Sequence, residues 1–339
     1  MSFSTNVLFS ANILSLSLKN HFEQHPIPSN FPASFTINKE HLTIDENISV
    51  HMTQQTLVVF DDLSLENLLT LQEKCHLTID ALLAINTRNN QTSYRFCISC
   101  EDFIKARKAL ADFTLAKKIE AALIQDAPKL NEPGLLVMDM DSTTIEIECI
   151  DEIAKLAGVG EQVSAVTELA MQGKLDFAQS LHQRVATLEN APEQILIDVA
   201  KNIPLMTGLK TLISELKRHN WRIAIASGGF TYFADHLKDM LTLDAAFANV
   251  LEIKNGKLTG KVIGNVVDAQ VKADSLALLA SKYNIPASQT VAMGDGANDL
   301  VMMAAAGFGV AFHAKPIVLA QADSSINYQG LDCLLHWLA

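Results

Sequence analysis

A chain of 339 residues is long enough for two domains, and 49% apolar residues supply the material for a buried core in each. With 19% charged residues, 15 Gly and 9 Pro, it has the composition of a folded globular protein and not of a fibrous or disordered one. The formal net charge of −12 argues against nucleic acid as a partner, because phosphate backbones are gripped by clustered Lys and Arg.

The same charge sets a problem for any anionic small molecule, which needs a bound cation or a local basic cluster to reverse the field. Five cysteines, an odd number, do not form a disulfide framework. Cys97 and Cys100 make a CxxC with no second pair to complete a metal site, and they read as strand residues in a reducing cytosol. No basic residue precedes Lys19, so the charged start of a signal peptide is missing. The longest mostly apolar run after that, Leu300 to Phe312, is shorter than the roughly 20 residues a bilayer demands. The expectation is a cytoplasmic protein with no membrane partner.

In chain order, Gln55 to Phe60 reads as a strand and Ser64 to His76 as a helix with Ser64 as its N-cap. Tyr94 to Ser99 reads as a second strand, and Glu101 to Leu123 as a second helix from apolar residues spaced by three and four. Pro128, Pro133 and Gly134 then punctuate residues 126–134, where no helix can run through. The expected division is a small α+β domain over residues 1–130, with a regulatory role as one reading, and a second domain over 131–339.

Beyond the break, three continuous apolar runs each end in polar residues: Gly134 to Asp139, Trp221 to Ser227 and Thr290 to Asp295. Helical stretches such as Leu209 to His219 and Ala273 to Tyr283 lie between them. Uninterrupted apolar strands alternating with helices define an α/β fold, a doubly wound parallel sheet covered on both faces. Ligands of such sheets sit beyond the carboxyl ends of the strands. About eighty residues separate the first two strands, where a crossover needs only about a dozen. The excess, about 145–202, is helical in character and reads as an inserted cap.

Four motifs carry chemistry. Asp139 and Asp141 stand two apart at a strand tip; this is a capped turn in many proteins, but a carboxylate pair also supplies a nucleophile and a general acid. Ser227, Gly228 and Gly229 follow the second strand, either as a tight turn or as a cradle whose N–H groups approach a phosphate. Lys272 near a helix start is a solvated charge or the cation that neutralises phosphate. Asp295, Asn298 and Asp299, in Gly-Asp-Gly-Ala-Asn-Asp after the third strand, exceed what a helix cap requires and suit Mg²⁺, a hard cation with oxygen ligands.

In this order the four motifs resemble the haloacid dehalogenase superfamily. The stretches DMDSTTIEIECIDEIAKLAG, KLDFAQSLHQRVATL, SGGF and GDGANDL resemble those of members acting on phosphoserine, over roughly residues 133–339. The first 130 residues only loosely resemble the variable N-terminal domains of bacterial members. The resemblance implies a Rossmann-like core and Mg²⁺-dependent hydrolysis of O-phospho-L-serine through an aspartyl-phosphate, the last step of serine biosynthesis. It makes Asp139 the nucleophile and Asp141 the general acid and then base. It places Mg²⁺ on the Asp139 carboxylate, the Asp141 main-chain carbonyl and Asp295, with Asp299 bracing the metal's waters. Ser227, Gly228 and Lys272 would bind phosphate, supported by Asn298. Glu148 would meet the substrate ammonium and Arg184 its carboxylate, with Met171 and Phe177 excluding water. His182 reads as a surface residue. Transfer of phosphate to another hydroxyl compound and a purely regulatory binding role are the other readings. The sequence leaves oligomeric state open, a homodimer being the assembly considered.

Overall fold

Strands of the N-terminal region bury alternate residues, as in Ala33, Phe35 and Ile37, the pattern of a sheet with one covered face. The computed structural model describes residues 4–8, 11–25, 27–46, 53–60 and 63–339. Its chain falls into two units, Met1–Ala127 with Asp323–Ala339, and Pro128–Ala322.

In the first unit, β1 (Ser4–Leu8), β2 (Ala33–Ile37), β3 (His41–Asp45), β4 (Gln55–Phe60), β5 (Leu77–Arg88), β6 (Gln91–Cys100) and β7 (Ala121–Gln125) form an antiparallel sheet ordered β1-β3-β2-β5-β6-β4-β7. Helices Leu65–Cys75 and Phe103–Lys117 bury Leu68, Leu71, Leu110 and Phe113 in the same core as Phe35 and Phe96. Ser64 caps the first of these helices, accepting from the Asn67 N–H at 3.1 Å.

The helix read over Glu101 to Leu123 stops earlier. Lys118 turns left-handed, and Ala121–Gln125 pairs with β4. Ala121 to Ile124 are all buried, and a short run buried on every side has no period to separate strand from helix.

The C-terminal residues also depart from the expected division, which grouped 131–339. The buried Glu120 carboxylate accepts backbone N–H groups of Asn327, Tyr328 and Gln329 at 3.1, 2.8 and 3.2 Å. Buried Arg95 donates to the carbonyls of His336, Trp337 and Leu338 at 3.1, 3.0 and 2.8 Å. These charge-assisted bonds satisfy backbone groups of the last segment within the first unit.

His336 sits in this contact with its Nδ1 2.8 Å from the Ser93 hydroxyl. Burial, then the charges of Arg88 and Arg95, pushes its pKa down to about 4, and burial with the neighbouring His25 does the same to His21. Both imidazoles are therefore held neutral in the fold, whereas the unfolded chain takes up protons below about pH 6.5. Their stabilisation is complete above that pH and is lost as pH falls toward 4, by about 1.4 kcal/mol per group per unit at most. Raised carboxyls elsewhere in the chain, Asp141 and Asp295 among them, act in the opposite sense over this range, so the readout is a difference: between urea melts at pH 7.5 and 5.0, His336→Gln should lose about 2 kcal/mol less stability than wild type. An unchanged pH dependence in that variant would show that His336 is not held neutral.

In the second unit, β8 (Leu135–Met138), β9 (Arg222–Phe230), β10 (Ala245–Lys254), β11 (Lys257–Ile263), β12 (Thr290–Gly294) and β13 (Phe308–Phe312) run in the order β11-β10-β9-β8-β12-β13. All neighbours are parallel except the β10–β11 hairpin at the edge, so the sheet is mixed and not wholly parallel. Leu135, Val137, Ala224, Ala292 and Ala311 pack on one face with Leu276 and Leu279 of helix Ala269–Tyr283 and Met302 of helix Leu300–Ala305. Leu136, Met138, Ile223 and Met293, on the opposite face, are also fully buried. Burial of both faces explains why these strands are apolar throughout.

Between β8 and β9 the chain forms helices Cys149–Leu156, Gly160–Met171, Phe177–Ala186 and Gln194–Lys201. Asp176 and Gln179 start the third with reciprocal side-chain to backbone bonds. Among the described residues, no helix is long and apolar enough to cross a membrane.

Candidate active site

The carboxyl ends of β8, β9 and β12 converge on one cleft, all within the second unit. At the end of β8, the Asp139 N–H donates to Met293 O of β12 at 2.9 Å, and its Oδ1 accepts from the Met140 N–H at 2.7 Å. The Thr144 hydroxyl donates to the Asp139 carbonyl at 2.6 Å, and Ser142 takes a left-handed φ of 56° to make the turn. The next acid, Asp141, accepts from the Cys149 N–H at 3.2 Å, and the Ser142 hydroxyl donates to Glu148 at 2.8 Å. The β8 tip thus fixes both aspartates through local backbone bonds and Glu148 through the Ser142 hydroxyl.

β9 continues through Ser227 to Phe230, beyond the turn read at Ser227. The Ser227 hydroxyl accepts from the Gly229 N–H at 2.9 Å, and Asn249 donates to the Gly228 carbonyl at 2.8 Å. A methyl group at Gly228 would stand 2.5 Å from the Phe177 ring, so only glycine allows that ring to close over the strand end. After β12, Asp299 accepts from the Gly296 N–H at 3.0 Å.

Lys272 is 1% exposed, far from the solvated charge its sequence context permits. Its Nζ lies 2.9 Å from Asp139 Oδ1 and 2.7 Å from Asp299 Oδ1. Burial pulls its pKa down, but the two carboxylates and their hydrogen bonds more than offset this and hold it charged, above the usual lysine range. Burial and the Asp139 charge push Asp299 up, with Lys272 opposing.

Asp139, Asp295 and Asp299 each bring an oxygen within 4.8 Å of the others. Burial, then the charges of Asp139 and Glu148, raises Asp295 to about 6, with Lys315 opposing. Crowded, partly desolvated carboxylates of this kind suit a hard divalent cation. The Asp141 carboxylate is not one of the three. Although part of Asp141 faces the cleft, burial, then Glu148 and Asp139, raises its carboxyl to about 8, so it carries a proton near neutrality.

Asp139, Asp141, Glu148, Arg184, Ser227, Gly228, Asp295 and Asn298 all line the cleft, while Lys272 and Asp299 lie buried beneath it. Arg184 holds a buried Nε with no partner among the described residues, a donor suited to an anionic ligand. Phe177 lines the cleft, whereas Met171 is 75% exposed at a helix end and does not. Met171 is the last residue of its helix, which ends just before Gly173, whose φ is +72°. His182 is exposed, as read. Ile150, Leu181, Phe230 and Lys315 also line the cleft and escaped the motif reading. Leu181 was accessible from spacing: Phe177, Leu181 and Arg184 occupy one helix face at intervals of four and three.

Residues 134–307 match the family model described as haloacid dehalogenase-like hydrolase, and the chain belongs to this family. Its curated relatives include phosphoserine phosphatases: that of Vibrio cholerae is 61% identical over 64% of this chain and 66% of its own length, just under two thirds. That of Haemophilus influenzae is 57% identical over 69% of this chain and 72% of its own. The crystal structure of a probable phosphoserine phosphatase from Vibrio cholerae, unliganded, is 46% identical, with a TM-score of 0.71 over 86% of this chain and 89% of that one.

Proposed function

We propose that the protein hydrolyses O-phospho-L-serine to L-serine and phosphate, the last step of serine biosynthesis. The observation that carries this is one cleft holding Asp139 among clustered carboxylates, with Glu148 and the buried Arg184 Nε, which has no partner among the described residues, on its wall. Residues 128–322 act as the catalytic region with the helices of about 145–202 as its cap, and residues 1–127 with 323–339 as an accessory module.

Asp139 attacks phosphorus, and the bond to the serine oxygen breaks. Asp141, raised to about 8, delivers its proton to the departing oxygen. The same residue, now ionised, takes a proton from the water that opens the aspartyl-phosphate, returning Asp139 and releasing phosphate. Ser227 and Gly228 offer a hydroxyl and a backbone N–H to the phosphoryl oxygens, with Asn298 beside them. Asp139, Asp295 and the Asp141 carbonyl would hold Mg²⁺, with Asp299 bracing its waters, and the ion would supply charge stabilisation for the phosphoryl group. Glu148 pairs with the substrate ammonium, and the Arg184 fork grips its carboxylate. None of the five cysteines forms a disulfide, which fits work in the cytoplasm. All the charged groups used come from one chain, so a homodimer is not needed for the chemistry.

The test is phosphate release from phosphoserine, phosphothreonine and simple phosphomonoesters with Mg²⁺, repeated in EDTA. Phosphoserine should be the best substrate, with activity lost on chelation and restored by Mg²⁺. Equal rates across the panel would remove the amino-acid specificity, and full activity in chelator would remove the metal. Arg184→Ala is expected to cost ~10²-fold in kcat/KM on phosphoserine and under about tenfold on an aryl phosphate, since it grips the amino-acid end. Equal losses on both would make its role structural.

A further inference from the structure

The charged groups lining the cleft are four acids, Asp139, Asp141, Glu148 and Asp295, and two bases, Arg184 and Lys315. Lys272 lies beneath, shared between two carboxylates that balance its charge while the cleft is empty, so it stabilises a docked phosphoryl group more than it draws an anion in. Arg184 is engaged by the amino-acid end in the reading above. Lys315 is the cation left unexplained.

Its backbone is held on both sides. The Lys315 N–H donates to the Asp295 carbonyl at 3.4 Å, and its own carbonyl accepts from Val318 and Leu319 at 2.9 and 3.1 Å. Pro316 follows directly and stiffens the chain. The side chain is exposed and, among the described residues, forms no ion pair, yet its charge reaches Asp295. A rooted but unpaired lysine therefore stands on the Asp295 side of the cleft, where the phosphate must dock above Asp139.

We propose that Lys315 is a substrate-binding residue that draws the phosphate end of the ester into the cleft and contacts its outer oxygens. This rests on the phosphatase reading but not on serine as the esterified group. A net charge of −12 repels a phosphate dianion, and a low-dielectric cleft focuses the field of a rim cation, which raises association rates. Because the recognised group is phosphate, the effect is the same whatever alcohol it esterifies. That separates Lys315 from Arg184.

Lys315→Met and Lys315→Arg are compared with wild type at saturating Mg²⁺, on phosphoserine and on p-nitrophenyl phosphate, from about 0.05 to about 0.5 M NaCl. The Met variant is expected to lose about tenfold in kcat/KM at low salt on both substrates, mainly through KM, with a similar weakening of inhibition by inorganic phosphate. The deficit should shrink as salt rises, and the Arg variant should retain most of the activity. No loss on either substrate overturns the proposal. So does a loss confined to phosphoserine, a salt-independent loss in kcat alone, or a shift in the Mg²⁺ activation constant in place of KM. If wild type cleaves only the aryl ester, the phosphoserine reading fails, and Lys315 is judged on the aryl ester.

Discussion

Asp139→Asn is expected to lower turnover by on the order of 10⁴-fold or more while the protein stays folded. The amide keeps the shape of the carboxylate and can still accept from Met140 N–H, but it cannot attack phosphorus. The fold tolerates the change because removing one negative charge leaves Lys272 paired one to one with Asp299 at 2.7 Å. Single-turnover phosphate release and a circular-dichroism melt check the two halves of this statement. The preparation must be shown by mass spectrometry to be free of deamidated Asp. Wild-type turnover in such a preparation would remove Asp139 as the nucleophile.

Lys272→Met should be damaging in a different way. The lysine is buried between Asp139 and Asp299, and its loss leaves two desolvated carboxylates without their cation. Breaking a buried ion pair from one side costs about 3–5 kcal/mol. The variant is therefore expected to unfold at clearly lower urea, with part of the loss recovered in Mg²⁺, since a divalent cation supplies positive charge to the same carboxylates. Activity should stay down by about 10³-fold even with the metal present, because the phosphoryl group has lost a fixed charge. Adding Asp299→Asn should restore stability but not turnover. A Lys272→Met protein as stable as wild type would mean that the buried carboxylates are not ionised, and the ion-pair account would fail.

The strands that build the site were readable because each is buried on both faces. Residues 135–138, 223–226 and 291–293 appear in the sequence as uninterrupted apolar runs, and the polar residues that follow each run emerge at the carboxyl end of the sheet. The β10–β11 hairpin carries a local sequence signal of its own. Its turn, Asn255-Gly256, has φ of 52° and 72°, the two left-handed residues that the Asn-Gly dipeptide favours. Ala121 to Ile124 could not be assigned from pattern, because β7 owes its conformation to pairing with β4, whose residues lie far away in sequence. For Lys272 local context left a solvated charge and a site cation both open, and burial between Asp139 and Asp299 excludes the first; Met171, expected to shield the site, is exposed.

Amino-acid order by itself determined which chemical groups stand at the strand tips, because residue type and local turn preference act over a few residues and need no distant partner. Only the tertiary structure decided that Asp139, Asp295 and Asp299 share a space of 4.8 Å and that Lys272 lies among them, since strand order and helix packing set those distances. It likewise decided that Glu120 and Arg95 capture the backbone of 327–338 for the first unit. Buried charges far apart in the chain find partners only when the fold closes, and desolvation then leaves them no alternative to one another.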